Sequence, residues 1–168
     1  MEQVLFWLMA VVAVVSALTT ISSRRPVHSA LAFLVTLLSL AVLFLLLSAQ
    51  FVAVIQIIIY AGAILVLFLF VIMLLNAQSG EGPQIKLPSQ RPLAIALALL
   101  LFGGLSYLLL SSPLGAARPL PAGMGTVQAV GGILFNHFLL PFEVASVLLL
   151  VGVIGAVVLT VKEDEQPK

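Results

Sequence analysis

Long apolar runs separated by short polar or turn-forming stretches dominate this chain. A membrane-spanning helix needs about 20 mostly apolar residues, each adding roughly 1.5 Å of length. Lipid offers no partner for backbone N–H and C=O groups, so such runs must be helical, and the alternation typical of a barrel is absent from the sequence. The pattern predicts an all-α membrane protein in which residues 1–168 form a single polytopic domain. The five predicted transmembrane helices lie at about 4–21, 27–47, 51–75, 93–110 and 142–161.

Turn signals separate the runs. Arg24 and Arg25 end the first, and Pro26 suits the first turn of the second. Glycines and a proline within residues 79–83 close the third. The connection between the fourth and fifth helices is long, and its second part, residues 127–140, is apolar but too short to span a membrane comfortably. We expect a short helix there, at the outer surface or packed against the bundle.

The distribution of basic residues predicts the orientation. Cytoplasmic loops are enriched in Lys and Arg, and the chain has 7 of them. If the N-terminus is outside and the C-terminus cytoplasmic, only Arg118 falls on the outer side, in the long outer connection. The remaining basic residues then lie on the cytoplasmic side: Arg24, Arg25, Lys86, Arg91, Lys162 and Lys168.

Composition excludes several classes of function. Only 8% of residues are charged, against about 25% in a soluble domain, and the net charge of +1 gives no basic surface for nucleic acid. The sequence has no cysteine, which excludes disulfides, thiolate catalysis and cysteine-ligated iron–sulfur clusters. His28 and His137 are interpreted as interfacial polar residues. No catalytic, cofactor-binding or metal-binding residues are therefore predicted.

The third run is unusual because it places polar residues at membrane depth without any charge. With α-helical periodicity, Ala49, Ala53, Gln56, Tyr60 and Ala63 fall on one face, at spacings of 4, 3, 4 and 3. Small residues let helices approach closely, and glutamine or tyrosine can form a hydrogen bond across the interface. A packing face is thus one interpretation of this stripe.

A second interpretation concerns the backbone of the same run. The residues Ile57-Ile58-Ile59 are β-branched, and Gly62 costs roughly 1 kcal/mol relative to alanine in a soluble helix. A locally weakened ladder could accept one extra residue per turn, forming a π-bulge of the kind often found at functional sites. Glycine is also common in ordinary membrane helices, so composition leaves both interpretations open.

Glu143 is the acidic residue closest to the interior of a predicted span. Intramembrane carboxylates usually face protein or water and mark ion paths. Near a helix N-terminus, however, the helix dipole favours a carboxylate, which can simply reach the interface. Gln56 and Glu143 are therefore candidates either for a polar path or for contacts between helices.

Three segments together carry a family resemblance that extends over nearly the whole chain, residues 4–161. The segments are Arg25-Pro26-Val27-His28-Ser29-Ala30-Leu31, Tyr60-Ala61-Gly62-Ala63-Ile64 with its flanks, and Pro141-Phe142-Glu143-Val144-Ala145-Ser146 with its flanks. In this order and spacing they resemble subunit J of the proton-pumping NADH:quinone oxidoreductase, respiratory complex I, the counterpart of mitochondrial complex I subunit six. The blocks are specific in combination.

The resemblance implies a non-catalytic membrane-arm subunit of an enzyme that couples electron transfer from NADH to quinone with proton translocation. NADH, FMN, iron–sulfur clusters and quinone would belong to the whole complex and not to this chain. The implied partners are other membrane-arm subunits and the lipid bilayer, with no nucleic acid. The implied location is the bacterial inner (plasma) membrane, crossed several times.

The resemblance also implies a switch between α and π forms of the third helix at Tyr60, Ala61 and Gly62, gating a hydrated proton path. Two departures stand out. The segment Asn136-His137-Phe138 replaces a family pattern that often has tyrosine, and Gln56 lies where some members carry an acid. That second departure argues against acid–base chemistry at this position.

Two alternatives remain open. The chain could be a small membrane subunit of a multisubunit cation/proton antiporter complex, whose subunits resemble those of complex I. It could also be a purely structural helix bundle, in which Tyr60 and Gly62 would tolerate any substitution that preserves packing.

Overall fold

A computed structural model describes residues 1–75, 90–111 and 123–160. The regular structure in these ranges is helical, and five of the helices are long and apolar enough to cross a membrane, as predicted. The shorter helix, α5, lies in the connection where a short helix was expected. The helices are α1 (Glu2–Ser22), α2 (Pro26–Leu46), α3 (Gln50–Leu74), α4 (Gln90–Ser111), α5 (Val127–His137) and α6 (Leu139–Thr160).

Two of the helices have a proline in their first turn. Pro26 is the first residue of α2, directly after the extended backbone of Arg25. Helix α6 begins at Leu139, earlier than the predicted start near residue 142. The first N–H groups of a helix have no partner within the helix, so Pro141 fits in the first turn of α6 instead of preceding it.

The helices α1, α2 and α3 pack side by side, with α2 in the middle. Between α2 and α3, small residues let the two backbones approach closely. Ala30 and Leu37 of α2 meet Ala61 and Leu65 of α3 in a buried cluster. This cluster is surrounded by partly buried hydrophobic residues: Leu34, Leu69 and Ile72.

A pair of hydroxyl groups joins α1 to α2. Ser16 Oγ and Thr36 Oγ1 lie 2.8 Å apart in the buried interface, and either can be the donor. Each hydroxyl is also close to a carbonyl oxygen of its own helix, at 2.7 Å for Ser16 to Val12 and 3.2 Å for Thr36 to Ala32. A hydrogen bond between helices in lipid contributes about 0.6 kcal/mol on average, so this pair stabilises one register of α1 on α2.

The later helices leave most of their surface uncovered. Within the described ranges, α4 contacts no other helix, and α6 packs only against α5. Their apolar side chains are exposed along the whole length of both helices. Apolar surface of this extent suits lipid or other membrane proteins.

Several sequence-based expectations concern residues outside the described ranges. These include the turn at residues 79–83 and the first part of the connection between α4 and α6. The orientation depends on Lys86, Arg118, Lys162 and Lys168, which also lie outside the described residues. The N-outside topology therefore stays a prediction.

Candidate functional site

The middle of α3 is a π-helix. Nine residues, Gln56–Ile64, adopt this form between two α-helical segments, Gln50–Ile55 and Leu65–Leu74. At its end the N–H of Leu65 donates to the carbonyl oxygen of Tyr60, five residues back instead of four. π-Helices are rare and usually limited to a single turn inside an α-helix. The three residues singled out by the family resemblance, Tyr60, Ala61 and Gly62, all lie within this segment.

The predicted stripe of small and polar residues is present only in the first part of α3. Ala53 is 1% exposed and Gln56 is 8% exposed, in agreement with a shared buried face. Tyr60 is 49% exposed, and Ala63 is exposed as well. The prediction that Tyr60 and Ala63 continue the face of Gln56 is therefore wrong.

The π-helix supplies the physical reason for this difference. One extra residue per turn advances the buried face by one position, so it passes from Gln56 to Ala61 and then to Leu65. These spacings are 5 and 4, where a continuous α-helix would give 4 and 4. Ala61 and Leu65 contact α2 in the buried cluster, and Tyr60 is turned away from it.

Gly62 fits the π-helix because it has no side chain. A Cβ atom at this position would lie 3.3 Å from the carbonyl oxygen of Ile57, five residues earlier, which is a tight approach to backbone. The three consecutive isoleucines before it, Ile57, Ile58 and Ile59, are all exposed. Because of the tight approach to the Ile57 carbonyl oxygen, a larger residue at Gly62 would disturb the π-turn itself.

Gln56 and Glu143 occupy separate parts of the structure. Gln56 is buried at the boundary between the first α segment and the π-helix, and its side chain forms no hydrogen bond with another described residue. Glu143 is exposed in the second turn of α6, where its carbonyl oxygen accepts a hydrogen bond of 2.7 Å from Ser146 Oγ. Since α6 does not contact α3, the described structure does not bring the two residues together.

One feature near α3 was missed by sequence reasoning. The N–H of Phe51, in the first turn of α3, donates a hydrogen bond of 2.9 Å to the carbonyl oxygen of Gly125, just before α5. The turn between α2 and α3 passes through Ser48, whose φ of 60° lies in the left-handed region. The sequence alone did not single out Gly125. Its partner could not be inferred, because no local pattern relates two such distant segments.

In the part of the chain that the structure describes, no group of three or more His, Cys, Asp or Glu residues could hold a metal ion. The candidate site therefore consists of backbone geometry, a buried amide and an exposed phenol. Such a site can change its hydrogen-bond pattern or offer a hydroxyl to water.

The fold defines a multi-pass helical membrane protein whose third spanning helix contains a π-helix. Residues 16–159 match the family model described as NADH-ubiquinone/plastoquinone oxidoreductase chain 6. The chain belongs to this family, which confirms the resemblance found in the sequence.

Three relatives illustrate the family. NADH-quinone oxidoreductase subunit J of Rhodobacter capsulatus is 40% identical over 163 residues, covering 94% of this chain and 80% of the relative. F(420)H(2) dehydrogenase subunit J of Methanosarcina mazei is 35% identical, covering 94% and 89%. NAD(P)H-quinone oxidoreductase chain 6 of a Nostoc species is 35% identical, covering 96% and 80%. The three names differ in the electron donor.

Proposed function

We propose that this chain is a non-catalytic membrane-arm subunit of an NADH:quinone oxidoreductase that couples electron transfer to proton translocation. Family membership across residues 16–159 and five helices suited to a membrane support this assignment. The observation that carries the coupling role is the π-helix at Gln56–Ile64, since it lies inside a spanning helix and contains Tyr60, Ala61 and Gly62.

The proposed mechanism is a change of α3 between π and α forms. If residues 56–64 became α-helical while the first segment stayed in place, the buried face would run from Gln56 to Tyr60 and Ile64. Tyr60 would replace Ala61 against α2, carrying its hydroxyl from an exposed to a buried position. A gate needs two arrangements that differ by only a few kcal/mol, and the glycine and β-branched residues of this segment weaken the α alternative enough for that.

The rest of the complex would supply the redox chemistry. NADH, FMN, iron–sulfur clusters and quinone are assigned to other subunits, and the exposed faces of α4 and α6 to contacts with membrane-arm partners or lipid. The proposed location is the bacterial plasma membrane, with the N-terminus outside. Orientation rests on the distribution of basic residues in the sequence.

The electron donor is the least constrained part of the proposal. Relatives of similar identity are named for NADH, NAD(P)H or F(420)H(2). This chain is similar in sequence to relatives that are named for different electron donors. A role that does not depend on the donor, such as transmitting a conformational change through the membrane arm, therefore suits it. NADH is proposed because the Rhodobacter capsulatus relative, at 40% identity, is named for it.

The test is the variant Gly62→Leu in the assembled complex. Its side chain would crowd the carbonyl oxygen of Ile57 and disfavour the π form, so proton pumping per NADH oxidised should fall. NADH oxidation by an artificial acceptor should be unchanged, because that reaction does not need the membrane arm. Normal proton pumping in this variant would contradict the proposed gate.

Purification of the chain with its partners separates the proposal from the antiporter alternative. A tagged chain should bring down subunits that contain flavin and iron–sulfur centres and oxidise NADH. An antiporter complex would contain neither centre. A purely structural bundle predicts that Gly62→Leu affects assembly or nothing at all.

A further inference from the structure

A backbone contact holds the first turn of α3. The first N–H groups of a helix have no partner within it, and Phe51 finds one outside, donating to the carbonyl oxygen of Gly125 at 2.9 Å. The adjacent turn is tightened by Ser48, whose left-handed φ of 60° is unusual for a residue other than glycine. We call this contact between Ser48, Phe51 and Gly125 the Gly125 clamp.

Gly125 is required by the closeness of the approach. A Cβ atom there would lie 2.9 Å from both the carbonyl carbon of Ser48 and the Cα of Ala49, and closer still to the Ser48 carbonyl oxygen. All three neighbours are backbone atoms, so no flexible side chain could move aside. Any side chain at Gly125 must therefore push the two segments apart.

The other side of the clamp is equally well defined. Thr126 caps α5, accepting a hydrogen bond from the N–H of Ala129 at 3.4 Å and donating one to the carbonyl oxygen of Gly123 at 2.7 Å. Helix α5 in turn contacts α6, where the rings of Phe135 and Phe142 meet edge to face at 5.2 Å. The carbonyl group of Gly125 thus lies directly before a helix whose N-terminus is capped by Thr126.

The clamp is also the place where two parts of the described structure meet. Among the described residues, the contact between the first segment of α3 and α5 is the one that connects the α1–α3 group to α5 and α6. It lies at Phe51, five residues before the π-helix begins at Gln56. The contact between α5 and α3 therefore lies close to the start of the π-helix.

We propose that the Gly125 clamp is the fixed point of the α3 hinge, with Gly125 as a positioning residue. This inference rests on the proposed α/π gate. When one end of a helix is held, a change of one residue in register appears at the other end, as a rotation of about 100° and a shift of roughly 1.5 Å. With Phe51 held, the half that moves against α2 is Leu65–Leu74. If the clamp is broken, the first segment of α3, Gln50–Ile55, can rotate instead, and Leu65–Leu74 then keeps the same face towards α2.

The test compares Gly125→Ala with Gly131→Ala in the assembled complex. Gly131 lies on α5 and an added Cβ there has no neighbour within 4 Å, so it controls for adding a methyl group near the clamp. Hydrogen exchange at the Phe51 amide reports the clamp, and proton pumping per NADH oxidised reports the hinge. Co-purification of the chain with its partner subunits reports assembly, and NADH oxidation by an artificial acceptor is the control for the redox chemistry.

In Gly125→Ala we expect the Phe51 amide to exchange about tenfold faster than in Gly131→Ala, since its hydrogen bond is lost. Pumping should fall by a factor of about two or more, because the register change is no longer directed to one half of α3. Oxidation by the artificial acceptor should stay the same in both variants.

Three results would overturn the inference. An unchanged Phe51 amide would mean that the clamp does not hold α3. Faster exchange with normal pumping would mean that the clamp is not part of the hinge. If Gly125→Ala does not assemble, Ser48→Val is used, since a β-branched residue is strained at positive φ; failure of both to assemble would make the clamp a structural contact and overturn the proposal.

Comparison with Gly62→Leu separates failure of the clamp from failure of the gate. Reduced pumping in Gly62→Leu with normal pumping in Gly125→Ala would support the gate and contradict the role of the clamp. Normal pumping in both variants would contradict both proposals.

Discussion

The backbone N–H of Leu65 donates a hydrogen bond to the carbonyl oxygen of Tyr60, so the last turn of the π-helix closes over five residues. This places Leu65 in the buried cluster with α2 and leaves Tyr60 half-exposed. In an uninterrupted α-helix, the N–H of Ile64 would instead donate a hydrogen bond to the carbonyl oxygen of Tyr60. The register of the whole second half of α3 depends on that choice.

The register can be tested by enlarging one of two alanines. Ala61 is 6% exposed in the contact with α2, so Ala61→Leu should overpack that contact and destabilise it by about 1–3 kcal/mol. Ala63 is exposed, and Ala63→Leu should be tolerated by the packing within this chain. The measurement is the free energy of unfolding of the chain in detergent. A larger effect of Ala63→Leu would indicate the α register.

Gly62→Ala should shift α3 towards the α form. The added methyl group favours an α-helix by roughly 1 kcal/mol, and its contact with the Ile57 carbonyl oxygen at 3.3 Å adds to the effect. Amide hydrogen exchange across residues 56–64 should change, with a smaller loss of pumping than in Gly62→Leu. Gly103→Ala on α4 gains the same helix propensity without any neighbour within 4 Å and should pump normally.

Tyr60→Phe isolates the role of the hydroxyl. The ring and the π-helical backbone should remain, because Tyr60 packs only partly and no hydrogen bond of its hydroxyl to a described residue is lost. If the hydroxyl contributes to the proton path, pumping per NADH oxidised should fall by a factor of about two or more, since polar groups at membrane depth are usually functional. Tyr107→Phe, the other tyrosine, is exposed on α4 and is the control. Equal pumping in the two variants would assign the role to the backbone alone.

The hydroxyl pair between α1 and α2 should show measurable coupling. Ser16→Ala and Thr36→Val each remove one side of a contact of 2.8 Å, and the double variant removes both. A double-mutant cycle of unfolding free energies in detergent should give a coupling of about 0.6 kcal/mol, with roughly 1.7 kcal/mol as an upper bound. A coupling of zero would mean that the two hydroxyls bond only to their own helices.

The number and approximate limits of the spanning helices follow from the sequence alone. Lipid forces an apolar run of about 20 residues to satisfy its backbone internally, so hydropathy is sufficient to locate α1, α2, α3, α4 and α6. Helix α6 begins at Leu139, before the predicted start near residue 142, and Pro141 is compatible with its first helical turn. The family was also recognisable, since its blocks are short, ordered and specific in combination.

The face of α3 could be predicted only as far as Gln56. Sequence periodicity assumes one repeat along a helix, and the π-helix changes that repeat at the residues of interest. Glycine and β-branched residues weaken an α-helix without specifying what replaces it, so Tyr60 and Ala63 were assigned to the wrong face.

The sequence by itself determined that this protein is a bundle of membrane-spanning helices and to which family it belongs, because both depend on composition and local order. The tertiary structure decided which residues of α3 face α2 and that Gly125 meets Phe51. Both depend on how backbones approach one another, a nonlocal property that no single segment encodes. The exposure of Tyr60 and the contact at Gly125 thus emerge only when the packed chain is considered as a whole.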